Sequence, residues 1–192
     1  MNIQQEKRAL REELKYQNAV LPKSYTEQAD KRICESVIRT AEYQKAKTVF
    51  CFVGRTYEID TYPIIEDALQ SGKRLCVPKC VDKGIMEARR IMSSDDLAKA
   101  KYGLLEPGLS CALILPAEIE FAVIPCVTCN YTGYRLGTGG GYYDRYLEGA
   151  DFFTCMICRE KLIREIIPQG DKDVIPLMLI TETGVFKTVN AT

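Results

Sequence analysis

The residues best suited to chemistry in this sequence are concentrated between positions 133 and 147. The segment reads Gly133-Tyr-Arg-Leu-Gly-Thr-Gly-Gly-Gly-Tyr-Tyr-Asp-Arg-Tyr-Leu147. Glycines allow positive φ and let the backbone approach a ligand closely, and the N–H groups at the start of a following helix attract anions. Arg135 and Arg145 can add charge-assisted hydrogen bonds, and Asp144 offers oxygen to a hard cation such as Mg²⁺. The pattern predicts a phosphate-binding loop with an associated divalent cation.

This glycine loop matches neither of the two common phosphate-binding motifs. It lacks the Gly-Lys-Ser/Thr of a P-loop, and it lacks the G-x-G-x-x-G dinucleotide pattern with a suitable ribose-binding acid. The structural alternative is a tight strand-to-helix connection that needs glycine for geometry alone. Three consecutive glycines at positions 139–141 cost backbone entropy. We therefore favour the phosphate-binding interpretation.

Composition excludes several classes of function. The chain has no histidine, which excludes Ser-His and Cys-His catalytic pairs and histidine-ligated metals. Lys+Arg and Asp+Glu both number 26, so no charge excess indicates a nucleic-acid or membrane surface. The sequence contains neither a membrane-length apolar run nor the apolar core of a signal peptide. We expect a cytoplasmic protein that binds neither nucleic acid nor membrane.

Nine cysteines in a chain without an export signal indicate reduced thiols. Two Cys-x-x-Cys pairs, Cys126/Cys129 and Cys155/Cys158, make a zinc site an alternative. However, the spacing on a strand sends Cys155 and Cys158 to opposite faces, and neither pair has the glycine turn of metal ribbons. We therefore expect these cysteines to act as small buried hydrophobic residues.

Short apolar runs alternate with amphipathic segments along the chain. We predict helices over residues 3–17 and 24–41, the second opened by a capping box from Ser24 to Glu27. The apolar runs predict strands at residues 48–53, 73–78, 121–124, 152–157 and 177–180, with an edge strand at 185–189. This alternation predicts an α/β fold: a single three-layer, Rossmann-like domain over residues 1–192, with a mostly parallel or mixed sheet flanked by helices. The strand at 121–124 is expected to lead into the glycine loop.

The run Arg135-Leu-Gly-x-Gly-Gly-Gly-Tyr-Tyr-Asp-Arg145 resembles the signature of the 5-formyltetrahydrofolate cyclo-ligase family. Weaker blocks in the same order extend the resemblance over nearly the whole chain: Lys7-x-x-Leu-Arg11, Glu58-Ile-Asp-Thr61, Tyr102-Gly-Leu-Leu-Glu-Pro107 and Asp173…Thr181-Glu182. The resemblance implies ATP-dependent closure of 5-formyltetrahydrofolate to 5,10-methenyltetrahydrofolate, with release of ADP and phosphate. It further implies Mg²⁺ as cofactor and ATP as co-substrate.

The resemblance also implies a role for each matching residue. The implied ATP-binding residues are Lys7, Arg11, Arg135, Leu136, Gly137, Thr138, Gly139, Gly140, Gly141, Tyr142 and Tyr143. The implied folate-binding residues are Arg11, Val53, Glu58, Thr138, Gly139, Gly140, Gly141 and Tyr142. Catalytic roles are implied for Arg135, Tyr142 and Arg145, and metal ligation for Asp144 and Asp173, with Asp171 as an alternative to Asp173.

The expected partners are a reduced folate and ATP, with the protein a monomer or weak homodimer. Thr138, Asn130 and Leu177 depart from the family pattern. One alternative is therefore a relative that binds a nucleotide or phosphate without cyclo-ligase activity. A second, by analogy of fold alone, is a sugar-phosphate isomerase-like enzyme, which would need a catalytic carboxylate but no nucleotide.

Overall fold

The fold is organised around a mixed β-sheet flanked by helices. The computed structural model describes residues 2–55, 57–100 and 103–190. The helices are α1 (Ile3–Ala19), α2 (Lys23–Arg39), α3 (Ala41–Lys45), α4 (Tyr62–Gln70) and α5 (Tyr142–Leu147). The strands are β1 (Thr48–Cys51), β2 (Arg74–Asp82), β3 (Ile85–Arg90), β4 (Leu97–Lys99), β5 (Leu105–Pro107), β6 (Leu113–Ile114), β7 (Phe121–Ile124), β8 (Thr128–Cys129), β9 (Arg135–Leu136), β10 (Phe153–Ile157), β11 (Met178–Thr181) and β12 (Gly184–Lys187).

The main sheet has eight strands in the order β12-β11-β10-β7-β1-β2-β3-β6. The five central strands, from β11 to β2, run parallel, whereas β12, β3 and β6 pair antiparallel at the two sides. The chain moves from β1 to β2 in one direction and from β7 to β10 in the other. This reversal between β1 and β7 is a topological switch point, the usual place for a ligand cleft in an open α/β sheet.

Alternating side chains of the central strands build a core on each face of the sheet. Val49 and Cys51 pack in a cluster with residues of α2 and α4, while Phe50 packs with α5 on the other face. Helix α1 covers the second face through Leu14, which packs with Met156 of β10. Helices on both faces confirm the predicted three-layer α/β fold. Among the described residues, no helix is both long and apolar enough to cross a bilayer.

The predicted start of α2 is wrong. The helix begins at Lys23 after Pro22, and no side chain caps its N-terminus. Ser24 lies inside the first turn because the Pro22 carbonyl already accepts from the N–H groups of Tyr25 and Thr26, at 3.0 and 3.1 Å. The helix also ends earlier than predicted, at Arg39, and the Thr40 side chain then caps α3 by accepting from the Tyr43 N–H.

We predicted that β7 leads directly into the glycine loop, and this prediction is wrong. Strands β8 and β9 form a hairpin in between, with Cys129 paired to Arg135. Its turn contains Gly133 with φ of +103°, where a Cβ would lie 2.6 Å from the Ile175 side chain. Strands of two residues show no detectable alternation in sequence. The hairpin sets where the loop emerges, because Arg135 and Leu136 precede it immediately.

Candidate functional site

A cleft of about 1170 Å³ opens where the parallel strands end. It is lined by α1, by the segments that follow β1 and β7, by the glycine loop and by Asp173. The residues that the sequence singles out for ATP, folate or metal line this one cleft, except Gly140 and the alternative metal ligand Asp171. Arg145, assigned a catalytic role by resemblance, also lies outside the lining. The fold thus brings together residues that lie as far apart in the chain as Lys7 and Asp173.

The glycine loop presents a row of backbone donors. In the described part of the chain, the N–H groups of residues 138–141 donate to no protein acceptor. Gly139 and Gly141 have φ of +102° and +66°, a conformation that favours glycine. Thr138 and both of these glycines line the cleft. Such a row of free N–H groups is suited to the oxygens of an anion.

Two arginines hold the loop by its carbonyl groups. The Nε–H of Arg11, on α1, donates to the Gly137 carbonyl at 2.7 Å. On the other side, Arg145 donates from Nε to the Gly84 carbonyl at 2.7 Å and from Nη2 to the Gly140 carbonyl. The Arg145 guanidinium is therefore engaged with backbone outside the cleft. Its position supports the loop, and its predicted catalytic role stays a prediction.

Two of the ion pairs in the cleft contain the aspartates predicted to bind a metal ion. Lys7 Nζ lies 2.5 Å from Asp173 Oδ2, and Arg135 Nη2 lies 2.6 Å from Asp144 Oδ1. Lys7 and Arg135 are only 7% and 5% exposed, so their charges are poorly screened by water. Each pair combines a predicted phosphate ligand with a predicted metal ligand.

The segment after Gly170 contacts both aspartates of these pairs through its backbone. The Gly170 N–H donates to Asp173 Oδ2 at 2.8 Å, and the N–H of the next residue, Val174, donates to Asp144 Oδ1 at 3.4 Å. Asp171, the alternative metal ligand, is exposed and absent from the cleft lining. Asp173 is therefore the aspartate of this segment that fits a site shared with Asp144.

Arg135 carries an unused donor. Its Nε is buried and has no hydrogen-bond partner among the described residues. Leaving a buried donor without an acceptor costs free energy, and the cost is larger for a charged donor than for a neutral one. An anionic oxygen in the cleft beside Arg135 would satisfy it, which fits the phosphate-binding interpretation of the loop.

Glu58 lines the cleft in the segment after β1. Arg55 Nη2 donates to Glu58 Oε1 at 2.6 Å, and the Arg55 N–H donates to Oε2 at 3.0 Å. Arg159 donates to the Glu58 carbonyl at 2.9 Å and is fixed by two bonds to Asp30, at 2.7 and 2.8 Å. Glu58 is thus held by side chain and backbone, and Val53 lines the cleft beside it.

Known proteins resemble this chain in both sequence and structure. The sequence profile of the 5-formyltetrahydrofolate cyclo-ligase family matches residues 3–182. The protein belongs to this family. A 5-formyltetrahydrofolate cyclo-ligase from Mus musculus is 27% identical over 155 residues, covering 77% of this chain and 76% of the relative. A 5-formyltetrahydrofolate cyclo-ligase from Escherichia coli K12 is 32% identical over 106 residues, which cover 54% of this chain and 58% of the relative.

A solved structure of 5,10-methenyltetrahydrofolate synthetase from Aquifex aeolicus superimposes with a TM-score of 0.84 at 25% identity. The match covers 96% of this chain and 93% of that one. These findings confirm the family predicted from the glycine-loop signature and the α/β fold predicted from the alternation of helices and strands.

Sequence reasoning missed a further ion pair in the cleft of this cyclo-ligase family member. Lys79 Nζ lies 3.1 Å from Glu106 Oε2, and the Cys80 N–H donates to Glu106 Oε1 at 3.2 Å. Both charged residues line the cleft. Glu106 lies in the block that starts at Tyr102, and Tyr102 itself is outside the described residues. Nothing in the sequence of β2 distinguishes Lys79 from an ordinary surface lysine.

Two tyrosines complete the wall next to the glycine loop. Tyr142 and Tyr143 line the cleft, and the Tyr143 ring meets Phe50 edge-on at 6.4 Å. Burial raises the pKa of Tyr143 well above 10, and the charge of Glu58 raises it further. The Tyr143 phenol therefore stays protonated near neutral pH and can serve as a neutral hydrogen-bond donor.

Proposed function

We propose that the protein closes 5-formyltetrahydrofolate to 5,10-methenyltetrahydrofolate at the expense of ATP. The observation that carries this proposal is the row of free backbone N–H groups at residues 138–141. The row lies in one cleft with Lys7, Arg11 and Arg135, in a chain that belongs to the cyclo-ligase family. The nucleotide would occupy the loop side of the cleft, and the folate the side of Glu58.

The reaction suits an enzyme without histidine. The formyl oxygen is a poor leaving group until it accepts the γ-phosphoryl group of ATP, with release of ADP. The folate N10 then attacks the formyl carbon, and the carbon–oxygen bond breaks as phosphate leaves. The protein has to align the two substrates and neutralise the charge of the phosphates, which are the main demands of phosphoryl transfer.

On the nucleotide side, we assign the anion-binding groups from their free donors. The N–H groups of residues 138–141 would bind phosphate oxygens. Lys7, Arg11 and Arg135 would neutralise the charge, and the unpaired Nε–H of Arg135 would gain an acceptor. Arg145 acts on this side as a positioning residue, since its donors hold the carbonyls of Gly84 and Gly140.

Asp144 and Asp173 fit a Mg²⁺ ion. Both offer carboxylate oxygens, the ligands this cation prefers when it is bound together with phosphates, and the segment at Val174 connects them. Such a cation would neutralise charge that develops on the phosphates. Ligation would draw Asp144 and Asp173 away from Arg135 and Lys7, and so free these cations for the phosphates.

On the folate side, Glu58 would accept hydrogen bonds from the pterin. Arg55 and Arg159 orient it by the contacts at 2.6 and 2.9 Å, so little conformational freedom remains to be lost on binding. Val53 would provide an apolar contact next to it. Tyr142, at the border between loop and cleft, would contact both substrates.

The test is an assay with purified protein. We expect methenyl-folate absorbance to grow with 5-formyltetrahydrofolate, Mg²⁺ and ATP, and to stay flat when ATP is omitted. Tight binding of Mg·ATP without any absorbance change would instead identify a nucleotide-binding relative. Absence of ATP binding would remove the basis of the proposal and favour an isomerase-like enzyme.

A further inference from the structure

Three cysteines meet behind the cleft. The sulfur atoms of Cys126, Cys129 and Cys158 all lie within 4.8 Å of one another. Cys126 follows β7, Cys129 lies in β8 and Cys158 follows β10, so three segments contribute one thiol each. Cys155 points to the opposite face of the sheet, into the core with α2 and α4, as the strand spacing predicts. The expectation that all four cysteines act only as hydrophobic residues overlooked this convergence.

The spacing of the three sulfur atoms fits a metal ion. Zinc–sulfur bonds of about 2.3 Å place the sulfur atoms of neighbouring ligands about 4 Å apart. The observed upper limit of 4.8 Å is within a small side-chain adjustment of that value. Cys129 and Cys158 are buried, whereas Cys126 is half-buried and lines the cleft. An ion could therefore enter from the cleft and meet two preformed ligands beneath it.

The character of the neighbouring groups decides which cation the three thiols suit. The other neighbours are apolar side chains, among them Leu14, Met156, Leu162 and Leu179. A soft cation is compatible with such a setting, because thiolate sulfur is the ligand that soft cations prefer.

We propose that Cys126, Cys129 and Cys158 form a three-thiolate site for a soft metal cation of the zinc class. Its fourth coordination position would face the cleft, next to Cys126. Cys129 is the register partner of Arg135 in the β8–β9 hairpin, and Cys158 follows β10 in the main sheet. The ion would therefore tie the hairpin that carries Arg135 to the central sheet. This site is separate from the Asp144 and Asp173 carboxylates and goes beyond the proposed reaction.

Cd²⁺ is a suitable probe, because thiolate-bound Cd²⁺ gives an ultraviolet charge-transfer band. The protein would be treated with a chelator, kept reduced and titrated with Cd²⁺. We expect one equivalent to bind with the band of a multi-thiolate site. Cys129→Ala and Cys158→Ala should each weaken binding by at least about ten-fold, since two thiolates hold such an ion far less tightly than three.

Two further variants separate ligation from folding. Cys155→Ala is the matched control: it removes a buried cysteine on the other face of β10 and should leave both the band and the affinity unchanged. Cys126→Ala alters the half-buried ligand and should weaken binding without loss of the fold, as judged by circular dichroism.

Three outcomes would overturn the proposal. The first is a wild-type protein without the charge-transfer band. The second is a band that persists in Cys126→Ala and Cys158→Ala. The third is a chelated, reduced protein that does not bind Cd²⁺ but forms a disulfide between two of the three cysteines when a hydroperoxide is added. Two of the cysteines would then be a redox pair.

Discussion

Lys7 and Asp173 form an ion pair of 2.5 Å across 166 positions of sequence. The pair joins α1 to the segment before β11. Arg135 and Asp144 form a second ion pair of the same type, at 2.6 Å. In each pair, one partner suits a phosphate and the other suits a divalent cation. Binding of Mg·ATP would exchange two internal ion pairs for contacts with the ligand, so the cost of separating the pairs enters the affinity directly.

The first prediction concerns this exchange at Lys7. Lys7→Met should weaken ATP binding and also lower the free energy of unfolding by about 1–3 kcal/mol, because Asp173 is left partly buried without its cation. Adding Asp173→Asn should recover most of the stability but none of the ATP affinity. Urea unfolding and calorimetric ATP titration measure the two effects. Lys15→Met, an exposed change on the same helix, is the control; recovery of ATP affinity in the double variant would contradict the assignment of Lys7.

The second prediction concerns Asp144, which we propose as a metal ligand. Asp144→Asn should lower ATP-dependent turnover on the order of 100-fold, since electrostatic stabilisation of a transferring phosphoryl group is lost. The Mg²⁺ concentration needed for half-maximal rate should rise as well. Asp151→Asn, which alters an exposed carboxylate outside the cleft, should have no effect. A rate equal to wild type in Asp144→Asn would remove this residue from the metal site.

The third prediction separates the two substrates. Glu58→Gln should raise the KM for 5-formyltetrahydrofolate about ten-fold while the KM for ATP changes little, because loss of a charged hydrogen-bond acceptor costs about 1.5–3 kcal/mol. Steady-state kinetics with each substrate varied in turn gives both values. Glu66→Gln on α4, exposed and outside the cleft, is the control. Equal increases in both KM values would show that Glu58 supports the whole cleft rather than the folate.

Local patterns in the sequence were sufficient for much of the fold. The central strands and α5 were predictable because apolar runs and helical spacing are properties of short segments. The β8–β9 hairpin was missed because each strand has two residues, which is too short for a period. The helix start at Ser24 was misassigned because Pro22 competes with a capping box for the same turn.

The site was predictable only where a motif marked it. The glycine loop was predicted from its own residues, and Lys7, Arg11 and Glu58 from the family resemblance; the structure brings them into one cleft. Lys79 with Glu106, and Arg159 with Asp30, are 27 and 129 positions apart. Pairing at such separations depends on tertiary structure, and no local pattern in one sequence encodes it. The same holds for the third cysteine of the thiol cluster.

The fourth prediction concerns pH and the junction of β1 with β7. The N–H groups of Lys47 and Thr48 donate to the Glu120 carboxylate and hold its pKa below the ordinary range. A lowered pKa in the folded state means that this stabilisation is complete above the unfolded pKa of about 4.3. It is lost as pH falls through the lower, folded value. Glu120→Gln should therefore flatten the acid limb of a plot of Tm against pH, whereas a limb identical to wild type would contradict the assignment.

The last prediction tests the loop conformation. Gly141→Ala places a Cβ 2.8 Å from Arg145 Nη1 at φ of +66°, which disturbs the residue that holds the loop carbonyls. Gly72→Ala is a matched control, with a similar φ of +73° and no atom within 4 Å of the added Cβ. Both should lose about 1–2 kcal/mol of stability through the left-handed backbone. Only Gly141→Ala should also reduce turnover and ATP affinity, as a combined calorimetric and kinetic comparison would measure. Equal losses of activity in the two variants would mean that stability, and not the geometry of the donor row, limits the enzyme.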